Sequence, residues 1–365
     1  MERLSTDIAI VGAGMAGASL AAAIAGRASV LLLERESQPG YHATGRSAAF
    51  WSESYGGSLV QPLTTASGPW LADRGLLSPR GCLHIAESPD ALNELTATLE
   101  AGGVAWEPMS GEAVRQRVPG LQAKFDHAVW EPTCQDIDVA GLHAFVLAKA
   151  RRHRVQLRCH AGLASATRRG DRWQLRLPGA EIDAGLLVNA AGAWAGEVAR
   201  MAGAAPIPIR PMRRTVIQLV TDPPSSPDLP LVMDATGQFY FKPEAGGRLW
   251  LSPHDETPVA PHDVAPEEWD QALAIDRFEQ AMSWRVVRRE RAWAGLRSFA
   301  PDRLPVYGFD VQAEGFFWCA GQGGFGIQTA PAAAALGAAL LLREAPPAEY
   351  AEIAFSRYAP GRFRP

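Results

Sequence analysis

Six residues near the start of the chain, Gly12-Ala13-Gly14-Met15-Ala16-Gly17, limit its possible folds more than any other segment. They follow an apolar run, Asp7–Val11, that reads as a short buried strand, and they precede the small residues Ala18–Ala25, which read as a helix. A second apolar strand, Val30–Leu33, ends at Glu34 and completes a βαβ unit in about thirty residues. Gly12 permits the tight turn, Gly14 lets the backbone approach a pyrophosphate, and Gly17 lets helix and strand pack closely. The helix N-terminus, with its unpaired N–H groups and dipole, favours the anion. Glu34 is placed to accept hydrogen bonds from ribose hydroxyls. The spacing alone is weak evidence; strand, helix and acid together predict a dinucleotide site.

The rest of the chain bears on which dinucleotide. A nicotinamide enzyme continues with regular βα units, whereas here Gly40–Gly57 is polar, glycine-bearing and aromatic, the composition of a functional loop. A second glycine-rich strand-to-helix turn comes far downstream. Gly315–Ala320 reads as a strand that enters Gly321–Gly326, followed by the alanine-rich helix Thr329–Arg343. Two such turns suit the two ends of a long cofactor such as FAD, the first at the diphosphate and the last at the flavin ring. A helix start at Ile327–Thr329 would stabilise negative charge on a reduced flavin.

Between the two turns, Pro89–Gly102, Ile137–Arg152 and Glu267–Met282 carry helical spacing. Val155–Arg158, Ser165–Thr167 and Trp173–Leu177 alternate and predict a small antiparallel piece. Leu186–Asn189 reads as a buried strand. The proline-rich stretch from Pro206 to Pro266, with strands such as Thr215–Val220 and Gln238–Lys242, predicts an inserted antiparallel sheet. The expected fold class is therefore α/β (α+β), a Rossmann-like FAD-binding domain carrying an inserted antiparallel-sheet substrate domain. Residues 1–80, 135–205 and 290–365 are expected in the first domain, and 81–134 and 206–289 in the second.

Composition narrows the partners. With 365 residues, 35 basic against 39 acidic side chains and a formal charge of -4, the chain gives no reason to expect nucleic acid or an anionic membrane. The four cysteines, Cys82, Cys134, Cys159 and Cys319, contain no CxxC pair, so neither a zinc site nor a disulfide framework is expected, and no other metal site is. A reducing cytoplasm is the default expectation. The apolar run Ile8–Ile24 lacks a basic leader and contains the spaced glycines, which argues against an export signal. No apolar run is long enough to span a bilayer as a helix. No G-x-S-x-G elbow supports a hydrolase.

At this point the residues resemble a family. Gly12–Gly17 with Glu34, Gly45-Arg46-Ser47-Ala48-Ala49, Asn189-Ala190-Ala191-Gly192-Ala193-Trp194 and Gly323-Gly324-Phe325-Gly326-Ile327 look like the D-amino-acid oxidase (DAO) superfamily, whose dinucleotide fold is of the GR2 type. Tyr41–Ala49, Phe239–Pro243, Trp293–Phe299 and Gln322–Thr329 are similar to its D-arginine dehydrogenase branch. The resemblance implies FAD-dependent oxidative deamination of a D-amino acid: hydride passes from Cα to flavin N5, and the imine hydrolyses to a 2-oxo acid and ammonia. For the cofactor it implies Gly12, Gly14, Met15, Ala16, Gly17, Glu34 and Arg35 from the first unit. The loop adds Thr44, Arg46, Ser47, Ala48 and Ala49, and the middle of the chain Gly162, Ala190, Gly192 and Trp194. Arg297, Gly323, Gly324, Gly326, Ile327 and Gln328 complete the set. Gly295–Phe299 contains no cysteine, so the FAD is expected to be held non-covalently.

For the substrate, the resemblance implies a carboxylate clamp at Arg297, with Arg214 and the Tyr240 hydroxyl beside it. The Gly324 carbonyl would take the amine, and Tyr55 would ride on a mobile lid formed by residues 50–57. Arginine suits the clamp because its planar fork pairs bidentately with a carboxylate. The residues alone leave alternatives open: Arg213-Arg214 also fits a solvated strand edge, Tyr240 fits plain sheet packing, and His42 fits a role satisfying backbone groups. His84 fits either a packed core or the pocket, and His254 and His262 are expected in solvent.

The chain departs from the branch at Phe50, where D-arginine-preferring relatives have a lid histidine, and at Cys82 and Gly237, where they present carboxylates. Glu53 is the acid left to compensate. A guanidinium buried without partners is costly, so neutral or hydrophobic side chains are favoured over arginine. The alternatives are a glycine- or sarcosine-oxidase-like secondary-amine or 2-hydroxy-acid oxidoreductase, or a non-catalytic flavoprotein subunit of an electron-transfer complex. The electron acceptor, oxygen or a quinone or other carrier, is left open.

Overall fold

The computed structural model describes residues 2–363; residues 1, 364 and 365, the ends of the expected domain ranges, lie outside them. The opening strand, Glu2–Val11, is longer than its apolar run because it pairs in parallel with another long strand, Ala180–Asn189. Val30–Leu33 flanks it on the other side, and Phe316–Ala320 extends the parallel sheet beyond Ala180–Asn189. Gln156–Arg158 forms the far edge, parallel to Val30–Leu33. This corrects its expected place in the antiparallel piece. The preceding helix, Val139–Arg152, carries the chain back across the sheet, which is the crossover a parallel partner requires. The antiparallel piece is instead Ser165–Arg169, Arg172–Leu177 and the first half of Ala180–Asn189.

The central strands are apolar throughout because both faces are covered. Ile8 and Ile10 face one core with the helices Met15–Ile24, Val139–Arg152 and Ala330–Leu342, while Ala9 and Val11 face the other. Ala330–Leu342 is apolar on nearly every side because it packs between Met15–Ile24 and Gln61–Ala72. Among the described residues no helix is long and apolar enough to cross a membrane.

The second large sheet runs in the order Gln322–Gly323, Arg285–Phe299, Arg210–Asp222, Arg248–Ser252, Tyr240–Glu244, Leu231–Asp234, Cys82–Ala86, His127–Glu131 and Glu107–Ser110. It is mixed, not wholly antiparallel: Leu231–Asp234 lies parallel to Cys82–Ala86. These two strands come from separate stretches of chain, so no hairpin fixes their direction. The expected boundary at residue 290 falls inside Arg285–Phe299, which runs along this sheet for its whole length. Side chains alternate across the sheet. Phe239 and Phe241 face the core under helix Glu268–Ala281, while Tyr240 faces the opposite way, toward Phe50, Val216 and Met233.

The two sheets are joined at the second glycine turn. Phe316–Ala320 belongs to the first sheet, and Gln322–Gly323 immediately after it pairs with Ser298 and Phe299 of the second. That join brings Arg297 to the glycine turn. A small third sheet of Phe50–Trp51, Gln135–Ile137 and Leu77–Pro79 puts a short strand inside the segment expected to be a loop.

Candidate active site

A cavity of about 420 Å³ opens between the two sheets, within the range of small-molecule sites. The first glycine turn gives it Gly12, Gly14, Met15 and Ala16, with Glu34, Arg35 and Gly162 alongside. The loop contributes Thr44, Arg46, Ser47 and Ala48, and the middle strand's end contributes Ala190, Gly192 and Trp194. The second sheet and second turn add Arg214, Tyr240, Arg297, Gly323, Gly324, Gly326 and Ile327. Three expected cofactor residues stand outside the wall. Gly17 packs helix on turn, since a Cβ there would lie 1.9 Å from the Gly12 carbonyl oxygen. Ala49 faces a different cavity. Gln328 is buried, donating to the Tyr55 carbonyl and the Thr64 hydroxyl, both at 2.9 Å.

The wall is built as a cradle for an extended dinucleotide. Gly12 has φ +102°, and a Cβ on it would meet the Ala190 carbonyl oxygen at 2.4 Å, so the turn is closed to any side chain. Gly14 caps the helix Met15–Ile24 without a side-chain cap, leaving the helix start to face the cavity. Glu34 is buried and accepts from the Ala13 and Glu36 amides at 3.1 and 3.0 Å, which holds its carboxylate at the cavity wall. Thr44 Oγ1 accepts from the Met15 amide at 2.9 Å and ties the loop to the turn. Arg46 is occupied structurally: it donates to the Val264 and Ala294 carbonyls and pairs with Asp263.

At the second sheet two arginines enter the same wall. Arg214 is buried; its Nε donates to the Asp255 carbonyl at 2.8 Å and its Nη2 to Glu256 at 3.2 Å. Its Nη1 has no hydrogen-bond partner among the described residues. Burial and the neighbouring Arg297 push its pKa down to about 10, so it stays charged at neutral pH. Arg297 makes no ion pair among the described residues. Burial would lower its pKa, but the Tyr55 and Tyr240 hydroxyls and Glu256 carry it above the ordinary value. Gly324 packs against both Tyr55 and Arg297: a Cβ on it would meet the Tyr55 hydroxyl at 2.8 Å and Arg297 Cζ at 3.1 Å. The five residues expected at the substrate thus converge, with Tyr55 forming the partition to a second cavity of about 430 Å³.

Other expected residues fall elsewhere. Arg213 is not solvated: it is buried against Asp255, Glu267 and Asp270. His254, expected in solvent, packs edge-on against Tyr240 at 5.7 Å and lines the second cavity. The proline-rich segment folds back beneath the sheet there. Burial and the charges of Arg214 and Arg297 lower the His254 pKa to about 3, so its ring is neutral. His262 is exposed as expected. His42 bonds the Glu36 carboxylate at 2.9 Å, and His84 is buried against Glu131 at 3.3 Å. Phe50, Cys82 and Cys134 form the apolar backing of Tyr240. Glu53 accepts from the Thr65 hydroxyl and lines neither cavity. Sequence reasoning missed Glu131, whose only signal was an acid ending the largely apolar strand His127–Glu131.

The sequence from residue 7 to 340 matches the DAO family, described as FAD dependent oxidoreductase. The chain belongs to the DAO family. The cradle described above fits FAD, the cofactor in that family's description. Glycine oxidase of Pseudomonas putida is 26% identical, with 95% of this chain aligned to 98% of that protein. Mitochondrial dimethylglycine dehydrogenase of Mus musculus is 26% identical over 96% of this chain, which spans 44% of that protein's length. Among solved structures, glycine oxidase from Geobacillus kaustophilus aligns with a TM-score of 0.82 at 22% identity, over 93% of this chain and 95% of that one. L-Proline dehydrogenase from P. horikoshii aligns with a TM-score of 0.86 at 20% identity, over 100% and 98%. These structures fix the fold as that of the DAO family. The relatives' names differ in substrate, so the similarity is to the family and not to one branch of it.

Proposed function

We propose that this DAO-family protein oxidises the C–N bond of an α-amino acid with a neutral side chain, of D configuration. The observation that carries the reading is the pair of arginines in the cavity wall, half-buried Arg297 without an ion pair among the described residues and buried Arg214 with an Nη1 unpartnered among them. A buried guanidinium needs an anion, and a substrate carboxylate supplies one in the bidentate geometry that arginine favours. Tyr240 orients the same carboxylate, and the Gly324 backbone offers the amine an acceptor. Tyr55 and Phe325, 5.2 Å apart, separate this space from the outer cavity and keep water out. Bound FAD, held by the cofactor residues named above, supplies the two-electron acceptor. The protein's part is orientation and charge; neutral His254 adds no competing cation.

The D preference rests on the resemblance of Tyr41–Ala49, Trp293–Phe299 and Gln322–Thr329 to the D-arginine dehydrogenase branch. A second reading, oxidation of glycine or an N-substituted glycine, draws on the end-to-end similarity to glycine oxidase. An anaerobic panel of D- and L-amino acids, glycine and sarcosine, read by bleaching of the flavin, separates the two. Admitting air afterwards tells an oxidase, which recovers its colour, from an enzyme that needs a quinone or carrier. If no amine bleaches the flavin, the reading is wrong.

A further inference from the structure

Glu131 is a carboxylate with no exposed surface at the end of strand His127–Glu131, and it lines neither of the two cavities. Nearly all its partners come from one short segment. Ser52 Oγ donates to it at 3.0 Å, Ser54 Oγ at 2.6 Å and the Glu53 amide at 3.0 Å. His84 Nε2 faces it at 3.3 Å from the neighbouring strand. A carboxylate buried this completely must be satisfied on every side, so Ser52, Glu53 and Ser54 are held by that requirement. Gln328 grips the same segment from the other side: its Oε1 accepts from the Ser52 amide at 3.3 Å and its Nε2 donates to the Tyr55 carbonyl at 2.9 Å. The next side chain is Tyr55, whose hydroxyl lies against Gly324 and Arg297.

We propose that Glu131 is a positioning residue for substrate binding: with Gln328 it fixes Ser52–Tyr55, so that Tyr55 is a standing wall of the carboxylate pocket and not a swinging lid. Directly after Tyr55 the chain turns at Gly56 and Gly57, both with positive φ. The inference rests on the carboxylate pocket proposed above, and it accounts for a buried charge that the cofactor cradle and the clamp leave unused. Gln328, expected at the cofactor, instead joins the flavin-side turn to the substrate wall.

The test uses the FAD-loaded protein with Glu131→Gln and, in case that variant misfolds, Ser54→Ala, which removes the shortest of the contacts. The first readout is amide hydrogen exchange at residues 52–55, which needs no substrate; the variant should exchange about tenfold faster or more there, while strands of the first sheet keep their protection. The second is titration with benzoate, a plain monocarboxylate, followed by the flavin spectrum. Loss of a hydrogen-bonded anchor should weaken benzoate by about five- to thirtyfold. In a Tyr55→Phe background the same substitution should add less than about threefold, because both act on one contact. Unchanged exchange at 52–55, or benzoate effects that multiply in the double variant, overturns the proposal. If benzoate does not bind the wild type, the carboxylate pocket itself is refuted, while the exchange data still decide whether Glu131 holds the loop.

Discussion

Replacing Arg297 by methionine keeps much of the side chain's length and removes its charge and donors. In the folded protein Arg297 makes no ion pair among the described residues, so its charge is available to a ligand in a way that Arg214, already engaged by the Asp255 carbonyl and Glu256, is not. Removing one partner of a desolvated charged pair costs about 2–5 kcal/mol. Arg214 remains with its free Nη1 and retains one arm of the clamp, which puts the expected loss in the lower part of that range, about 2–3.5 kcal/mol, or roughly thirty- to four-hundredfold in kcat/KM. The loss should fall mainly on KM, and FAD should stay bound. The assay is steady-state kinetics with the best substrate of the panel, supported by the benzoate titration and by the flavin-to-protein absorbance ratio. A change below about threefold with a full complement of flavin would show that Arg297 does not touch the substrate.

The purified protein should be yellow and release intact FAD on acid or heat denaturation, since among the described residues no cysteine lines the cavity and His42 in its wall is engaged by Glu36; flavin that stays with the precipitate would refute non-covalent binding. His254, with its pKa lowered to about 3, binds fewer protons folded than unfolded, so it makes stability fall as pH drops from about 6.5 toward 3. In His254→Gln that part of the acid loss in Tm should disappear, while the kcat/KM profile between pH 5 and 8 keeps its shape; a lost kinetic limb would instead assign His254 a proton-transfer role.

The parts of the molecule that depend on near neighbours are legible in the sequence. The βαβ unit, the two glycine turns and Glu34 announce themselves through spacing and periodicity, and the cradle is assembled from those residues. The second sheet is harder for a definite reason. Arg213 and Arg214 are indistinguishable as a pair of letters, yet adjacent residues on a strand point to opposite faces: one meets Glu267 and Asp270, the other the cavity. Register alone separates the cation paired at Glu267 and Asp270 from the one that faces the cavity, and register depends on pairing with Arg285–Phe299, about eighty residues downstream. His254 escapes a local reading because prolines and charges suggest solvent, whereas the segment tucks against Tyr240. Glu131 reaches donors 77 residues away at Ser54, a meeting no local pattern encodes.

Substrate charge follows from where the acids around the site are spent. Asp255 lies between Arg213 and Arg214, Glu256 between Arg214 and Arg303, and Glu267 and Asp270 are taken by Arg213. Cys82 and Gly237 do not line the cavity, and Glu53 turns away to Thr65. An incoming guanidinium or ammonium side chain therefore loses its hydration and, among the described residues at the Arg214–Arg297 end of the cavity, finds the nearby acids already paired with arginines, whereas an apolar one gains about 0.8 kcal/mol per buried methylene, roughly fourfold in binding. D-Leucine and D-methionine should accordingly exceed D-arginine and D-lysine in kcat/KM by about tenfold or more. The comparison is a single set of initial rates on the FAD-loaded enzyme. Should D-arginine win, the acid placed to supply the charge is Glu256, released from Arg303 at the outer cavity. Glu256→Gln would then abolish arginine activity and spare leucine; if arginine activity survived that change, the assignment of the pocket to the Arg214–Arg297 end of the cavity would be wrong.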